Sequence, residues 1–109
     1  MKFAGLRYSP ISIIRHVGRR SGKLYETPVI VEPLAEGFVF ALTYGPDVDW
    51  YRNILATGRA TLRWHGKEYA LEKPEPIDRQ AALAAFPQPF RLILRFVGPR
   101  HYFRMKQQS

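Results

Sequence analysis

Residues 18–23, GRRSGK, concentrate the residue types best suited to holding an anion. Glycine permits positive φ, which lets backbone N–H groups turn toward a negative charge. The guanidinium groups of Arg19 and Arg20 are forked donors that match phosphate or carboxylate, while Ser21 and Lys23 add a hydroxyl and a point charge. The glycine spacing and the lack of a following helix exclude a Walker loop. We interpret the segment as an anion-binding turn, with a solvated basic turn as the alternative.

A second segment, DWYRN at residues 49–53, follows a Gly-Pro pair that ends an apolar run. Asp47 and Asp49 are both good N-cap residues, so one of them is predicted to start a short helix that contains Trp50. A tryptophan in the first turn of a helix can form one wall of a pocket for a flat ring, and the helix N-terminus can face an anion. The alternative is a core tryptophan beside a solvated Arg52.

The sequence shows no other constellation of catalytic residues. His16, His65 and His101 lack the spacing of metal ligands, and all three are predicted to be non-catalytic. No Ser-His-Asp arrangement and no carboxylate pair is visible, and the chain has no cysteine. We therefore expect no metal site, and an enzyme built on this chain would take its chemistry from a cofactor.

Length and charge narrow the class of protein. A chain of 109 residues can bury one core, so a single domain over residues 1–109 is expected. The net charge of +8 attracts a polyanion, an anionic membrane, or a ligand rich in phosphate or carboxylate. No run approaches the ~20 apolar residues of a membrane span, and residues 1–10 lack the apolar core of a signal peptide. A cytoplasmic location is expected.

The apolar patterning predicts two hairpins with a short helix between them, ended by Gly58. The second hairpin is predicted to turn at His65 and Gly66, and Pro28 places the first strand at an edge or a bulge. The four strands are predicted at residues 24–31, 37–44, 59–64 and 67–73, with a further helix at about 78–86. Together these elements predict a mainly β fold, a small antiparallel barrel with an inserted helix and C-terminal helical cover.

Near the C-terminus, an apolar stripe at helical spacing stands beside two arginines. The stripe consists of Phe90, Ile93, Leu94 and Val97. A basic amphipathic helix can lie on a membrane, but such a helix more often packs on its own protein with its charges in water, and packing is predicted.

The two segments, in this order, resemble the deazaflavin-dependent nitroreductase family of the flavin-reductase-like split β-barrel superfamily. The resemblance runs from about His16 to Lys73, through GRRSGKLYETPV, a strand pair, YGPDVDWYRNILATG and the hairpin RATLRWHGKEYALE. It implies a split β-barrel that binds the deazaflavin coenzyme F-420, which carries a phosphate and an oligoglutamate tail. The cofactor-binding residues that it implies are Gly18, Arg19, Arg20, Ser21, Lys23, Tyr44, Gly45, Pro46, Trp50 and Asn53.

The resemblance also implies an oxidoreductase. Reduced F-420 would transfer a hydride from carbon 5 to a small electron-poor acceptor such as a quinone, an enone or a nitro compound. Tyr51, Tyr102 or solvent would deliver the proton. Flavin mononucleotide (FMN) is the second choice of cofactor, because related barrels use it, and either a monomer or a homodimer is expected.

Two other functions are compatible with the sequence. One is a protein that holds F-420, a flavin or a lipid-like ligand without turnover. The other is a basic nucleic-acid-binding barrel in which Arg63, Trp64 and Tyr69 stack and neutralise a single strand. The cations concentrate in one turn and near the C-terminus rather than alternating with aromatic residues along a sheet. We therefore expect no nucleic-acid partner, and peripheral membrane contact is not favoured.

Overall fold

The computed structural model describes residues 11–108, in which six antiparallel strands close into a barrel. The strands are β1 (Ile11–Val17), β2 (Leu24–Leu34), β3 (Gly37–Ala41), β4 (Ala60–Trp64), β5 (Lys67–Pro76) and β6 (Tyr102–Gln107). They follow one another around the barrel in the order β1-β2-β3-β6-β5-β4. The helices are α1 (Asp49–Thr57), α2 (Arg79–Ala85) and α3 (Phe90–Val97). The predicted mainly β fold is confirmed, with six strands instead of four. The signal-peptide prediction concerns residues 1–10, which lie outside the described range.

Two apolar cores stabilise this arrangement. All six strands contribute side chains to the barrel interior, and α1 adds Ile54 to it. The second core lies between the barrel wall and the two C-terminal helices, and contains Val39, Ala41, Ala82, Leu83, Phe86, Leu94 and Tyr102. Successive residues of a strand point to opposite faces, so β3 sends Phe38 and Phe40 inward and its two neighbours Val39 and Ala41 outward.

The apolar pattern does not reveal β1 or β6, and double burial is the reason in β6. In β6, the adjacent residues Tyr102 and Phe103 are both buried, the first in the outer core and the second in the barrel interior. In β1, Ile13 and Ile14 stand side by side, which hides the inward alternation of Ser12, Ile14 and His16. Strand β6, covered on both faces, loses the alternation by which a half-exposed strand is recognised, whereas β1 keeps its alternation of burial but not of residue type.

The first hairpin turns between the two predicted strands, and the second strand begins at Gly37 as predicted. Ala35 and Glu36 form the turn, with Ala35 at a φ of 52°, and Gly37 is the first residue of β3. Gly37 pairs with Lys106 of β6, and a Cβ atom at Gly37 would overlap the backbone of Met105. The glycine is therefore required for close approach of two strands rather than for a turn. Strand β2 extends to residue 34 instead of 31, and β3 ends at 41 instead of 44.

The edge position predicted for Pro28 is confirmed. Pro28 pairs with Ile13 of β1, whereas the ladder between β2 and β3 begins only at Ile30. The first half of β2 thus has a partner on one side only, and proline removes no hydrogen bond from the other side.

The cap predicted at Asp47 or Asp49 is wrong. Val48 is the N-cap of α1, with an extended backbone and no side-chain hydrogen bond. The two carboxylates instead form surface ion pairs, Asp47 with Arg52 and Asp49 with Arg19, both at 3.3 Å. An arginine within reach gives each carboxylate a charge-assisted partner, which competes with the backbone N–H groups that a cap would bind.

The predicted glycine turns are confirmed. Gly58 ends α1 with a φ of +74° and donates its N–H to the carbonyl oxygen of Ile54 at 2.7 Å. His65 and Gly66 have φ values of 51° and 82°, as a tight turn between β4 and β5 requires.

Helix α3 packs through one face and exposes apolar residues on the other. Leu94 is buried in the outer core and Phe90 packs against it. The prediction that Ile93 packs is wrong, since Leu92, Ile93 and Phe96 are exposed. No helix within residues 11–108 has the length and apolar character needed to cross a bilayer.

A side-chain cap is present at α2 instead. Asp78, the N-cap, accepts from the backbone N–H groups of Gln80 and Ala81 at 3.1 and 3.4 Å. We expect Asp78→Ala to lower the free energy of unfolding by about 1 kcal/mol, because two helix N–H groups lose their partner. Asp47→Ala, the matched control at α1, should change it by less than about 0.5 kcal/mol. Urea denaturation measures both, and an equal loss in the two variants would contradict this account of the caps.

Candidate functional site

Residues from both sequence segments line one cleft, which we call the cationic cleft. Its volume is about 540 Å³, and its walls are contributed by β1, β2, α1 and the cationic turn, residues 18–23. The lining residues are His16, Gly18, Arg19, Arg20, Ser21, Tyr25, Glu26, Thr27, Asp49, Trp50 and Asn53. The turn and the helix are far apart in the sequence, and the fold brings them together.

The cationic turn is closed by its own backbone. Gly18 donates its N–H to the carbonyl of Lys23 at 2.8 Å, and Gly22, at a φ of +73°, donates to the carbonyl of Gly18 at 2.9 Å. A Cβ atom at Gly18 would overlap Ser21 Oγ and the ring of Tyr25. Both glycines are therefore needed for this shape, one for its dihedral angle and the other for space.

Two carboxylates also line the cleft, and both are paired with arginines. Glu26 accepts from Arg15 and Arg63, each at 3.4 Å, and Asp49 accepts from Arg19 at 3.3 Å. These ion pairs offset the negative charge that would otherwise oppose an anionic ligand.

Arg20 and Ser21 offer donors that the protein does not use. The Arg20 side chain is exposed and forms no ion pair with any described residue. The backbone N–H groups of Arg20 and Ser21 likewise have no partner within residues 11–108. Two free N–H groups beside a guanidinium and a hydroxyl form a donor set suited to a phosphate or carboxylate group.

Asn53, a residue of α1, forms hydrogen bonds to the cationic turn. Its Oδ1 atom accepts from the backbone N–H of Arg19 at 3.1 Å and from Nη1 of the same residue at 2.7 Å. Asn53 is only 6% exposed, so these hydrogen bonds form largely out of water. A buried amide oxygen that receives two donors, one of them charged, is a strong restraint on both backbone and side chain.

The nitrogen of the same amide fixes the protonation state of His16. Nδ2 of Asn53 lies 3.2 Å from Nδ1 of His16, and Nε2 of His16 lies 2.9 Å from Oγ1 of Thr27. Because both contacts of Arg19 are donors, the amide oxygen must face Arg19, and the amide nitrogen must donate to Nδ1. The neutral ring therefore carries its proton on Nε2 and donates it to Thr27. Burial lowers the pKa of His16, in agreement with a ring that stays neutral.

The predicted site omits five residues that line the cleft, namely His16, Tyr25, Glu26, Thr27 and Asp49, and His16 is the most deeply buried of them. With both ring nitrogens engaged, His16 lines the cleft as a buried positioning group. One feature of the sequence indicates that such a residue exists. Asn53 falls on the same helix face as Trp50 and Ile54, so its amide is expected to be buried. A buried amide requires hydrogen-bond partners that are buried as well.

Trp50 separates the cationic cleft from a second, apolar cleft of about 380 Å³. Trp50 and Thr27 line both clefts. The lining of the apolar cleft contains no charged side chain and consists of Ile11, Thr27, Pro28, Val29, Ile30, Ala41, Thr43, Tyr44, Val48 and Trp50. The Trp50 ring also packs on Phe103 of the barrel interior at a centroid distance of 5.9 Å. The tryptophan is thus part of the core and a wall of both clefts.

The structure does not bring every predicted site residue to the cationic cleft. Tyr44 lines the apolar cleft and is 88% exposed. Lys23, Gly45 and Pro46 line neither cleft, although Gly45 and Pro46 directly follow Tyr44.

Neither tyrosine considered for proton delivery lines either cleft. Tyr51 packs against Phe103 at a centroid distance of 4.7 Å, and burial raises its pKa. Tyr102 belongs to the outer core, where its hydroxyl has no partner among the described residues. Burial raises the pKa of Tyr102, and the nearby charge of Arg79 opposes this rise.

The hairpin considered for nucleic-acid binding keeps its rings occupied. Trp64 stacks on His65 at 4.0 Å and makes edge contacts with Phe38 and Tyr69. These contacts leave little of the tryptophan face for a base, and stacking platforms need open faces. No group of three His, Asp or Glu residues that could hold a metal ion occurs within residues 11–108.

No protein-family model and no curated protein matches this sequence. Among solved structures, an F-420-H2-dependent reductase, FDR-A, is similar with a TM-score of 0.61 and 17% sequence identity, over 89% of this chain and 94% of that chain. A domain-swapped dimer is similar with the same TM-score and identity, over 89% and 80% of the two chains. At this identity the likeness concerns the fold, and it confirms the split β-barrel implied by the family resemblance.

The neutral state of His16 predicts how stability depends on pH. Between pH 7.5 and 5, the unfolded chain binds a proton at the ordinary pKa of histidine, while the folded protein resists it. The free energy of unfolding should therefore fall with the pH. His16→Gln keeps an acceptor for Asn53 and a donor for Thr27 but has no titrating group, so this decrease should be smaller in the variant. Urea denaturation across this range measures it.

The control is His101→Gln, which removes one histidine from an exposed position and leaves the hydrogen bonds of His16 in place. The comparison concerns the change with pH, so a general loss of stability in either variant does not affect it. Parallel curves for the wild type and His16→Gln would contradict the assignment of a neutral His16.

Proposed function

We propose that this protein binds coenzyme F-420 in the cationic cleft and acts as an F-420-dependent oxidoreductase. One observation carries the proposal: six residues implied by the family resemblance line this single cleft, namely Gly18, Arg19, Arg20, Ser21, Trp50 and Asn53. The F-420-H2-dependent reductase that shares the fold supports the same function.

The donors of the cationic turn fit the anionic part of this cofactor. The Arg20 guanidinium and the backbone N–H groups of Arg20 and Ser21 have no partner among residues 11–108. Arg19 adds a guanidinium already ordered by Asn53, so little conformational entropy is lost when an anion binds. We assign the phosphate to this set. Lys23, exposed at the end of the turn, contributes to attraction of the glutamate tail.

Trp50 and the apolar cleft are suited to the uncharged groups of the reaction, namely the deazaflavin ring and the acceptor. The flat deazaflavin ring is assigned to the Trp50 wall, and an electron-poor acceptor such as a quinone, an enone or a nitro compound to the apolar cleft. When bound in its reduced form, F-420 supplies a hydride from carbon 5. The protein's part is to orient the two molecules and to exclude water with apolar walls. Tyr44 lines the acceptor side, and Gly45 and Pro46 follow it in the sequence.

A protein that holds F-420 without turnover is the second candidate. It is favoured by the positions of Tyr51 and Tyr102, which line neither cleft and leave solvent as the proton source. Reduced F-420 mixed with the protein and a naphthoquinone separates the two functions. Oxidation above the rate without protein indicates an enzyme, and its absence alongside tight binding indicates a holder.

The donor set predicts how F-420 binding responds to mutation. Arg19→Ala together with Arg20→Ala should weaken binding at least tenfold, about 1.4 kcal/mol, because two charge-assisted contacts to the anion are lost. Affinity in the wild type should also fall as salt concentration rises, since the contacts are partly exposed. Fluorescence titration with F-420 measures both effects.

The control variant is Arg95→Ala with Arg100→Ala, which removes the same charge from exposed residues outside the clefts and should bind F-420 with nearly unchanged affinity. Arg20→Ala alone tests the site if loss of Arg19 disturbs the turn, because the Arg20 side chain forms no hydrogen bond or ion pair with residues 11–108. Unchanged affinity in folded Arg20→Ala and in the double variant would remove this site assignment. An equal loss of affinity in the control variant would mean that the net charge of the protein, and not this site, accounts for the effect.

A further inference from the structure

Helix α3 presents three large apolar side chains to solvent. Leu92, Ile93 and Phe96 are 49, 51 and 76% exposed. At helical spacing, Phe96 lies one turn beyond Leu92 and Ile93, so the three side chains form one continuous patch. Single exposed apolar residues are common on protein surfaces, but a cluster of three on one short helix is not. We call these three residues the α3 patch.

The patch cannot be buried by rotation of the helix. The opposite face of α3 is anchored by Leu94 in the outer core. Arg91 donates to the carbonyl oxygens of Phe86 and Ala84 at 2.9 and 3.1 Å, which fastens the start of α3 to the end of α2.

The end of the helix is fastened as well. Arg79 donates to the carbonyl oxygens of Arg95 and Pro99 at 3.0 and 3.5 Å. These bonds satisfy carbonyl groups at the end of α3 and hold its outer face toward solvent.

The stretch of sequence that contains the patch carries formal charge of one sign. Residues 79–109 contain no Asp or Glu and six Lys or Arg residues, which account for six of the eight net positive charges. Arg95 lies on α3 itself and Arg100 follows the helix. Both are exposed, and neither guanidinium forms an ion pair with any described residue. Positive charges beside an exposed apolar face complement a surface that is anionic outside and apolar below.

We propose that α3 docks this protein on an anionic lipid surface. The α3 patch enters the boundary between headgroups and acyl chains, while Arg95 and Arg100 meet the lipid phosphates. A second copy of this chain fits less well, because two α3 patches face to face would bring these arginines together. A lipid surface also needs no matching hydrogen-bond geometry, and the patch itself offers only apolar side chains.

Vesicle co-sedimentation of the full chain tests this docking. The protein should bind vesicles of phosphatidylglycerol and phosphatidylcholine at least tenfold more tightly than vesicles of phosphatidylcholine alone, with affinity falling as salt rises. Ile93→Ser with Phe96→Ser should reduce binding to the anionic vesicles at least tenfold. Arg95→Ala with Arg100→Ala should reduce it and flatten its salt dependence.

The matched control is Leu24→Ser with Leu55→Ser, which removes two comparably exposed leucines elsewhere, 63 and 52% exposed, and should bind vesicles like the wild type. Absence of binding to anionic vesicles, or an equal loss in this control, would overturn the proposal. So would a dimer that the Ile93→Ser, Phe96→Ser variant abolishes, since the patch would then be a self-association surface. Fluorescence titration with F-420 should give the same affinity for that variant and the wild type, so this test and the test of the proposed function can fail separately.

Discussion

The site depends on the buried amide of Asn53. Its oxygen holds the backbone and the guanidinium of Arg19, and its nitrogen is satisfied only by a neutral His16. The neighbouring cations of this turn repel one another, because like charges this close are destabilising. The hydrogen bonds from Arg19 to Asn53 offset this repulsion. The amide gives the turn a fixed position against α1, so the donors of Arg20 remain free for a ligand. The position of the turn and the availability of its donors therefore depend on one side chain.

The barrel makes this link possible by burying both faces of several strands. Because β3 and β6 pack inward on the barrel interior and outward on α2 and α3, the fold gains two cores from a chain of 109 residues. Helix α1 completes the interior with Ile54, which places Asn53 beside the end of β1. The same architecture leaves α3 on the outside with one face anchored and the other exposed. The cationic cleft and the α3 patch therefore rest on different cores.

Much of the site could be predicted from local sequence, because glycine spacing, arginine type and an early helix tryptophan have direct physical meanings. The turn at residues 18–23 and the position of Trp50 follow from such local rules. His16 could not be predicted, because its role depends on a partner 37 residues away and on a strand whose alternation is hidden. The cap at Asp47 or Asp49 failed for a related reason: local propensity does not count the arginines that tertiary structure brings near. The exposure of Ile93 likewise depends on which helix face meets the outer core.

We propose that the cationic cleft binds F-420 in preference to FMN. Isothermal titration calorimetry of the purified full chain with each of the two cofactors, under identical conditions, tests this preference. We expect one F-420 bound per chain with micromolar or tighter affinity, and weaker binding of FMN, which lacks the glutamate tail. No binding of F-420, or tighter binding of FMN, would contradict it.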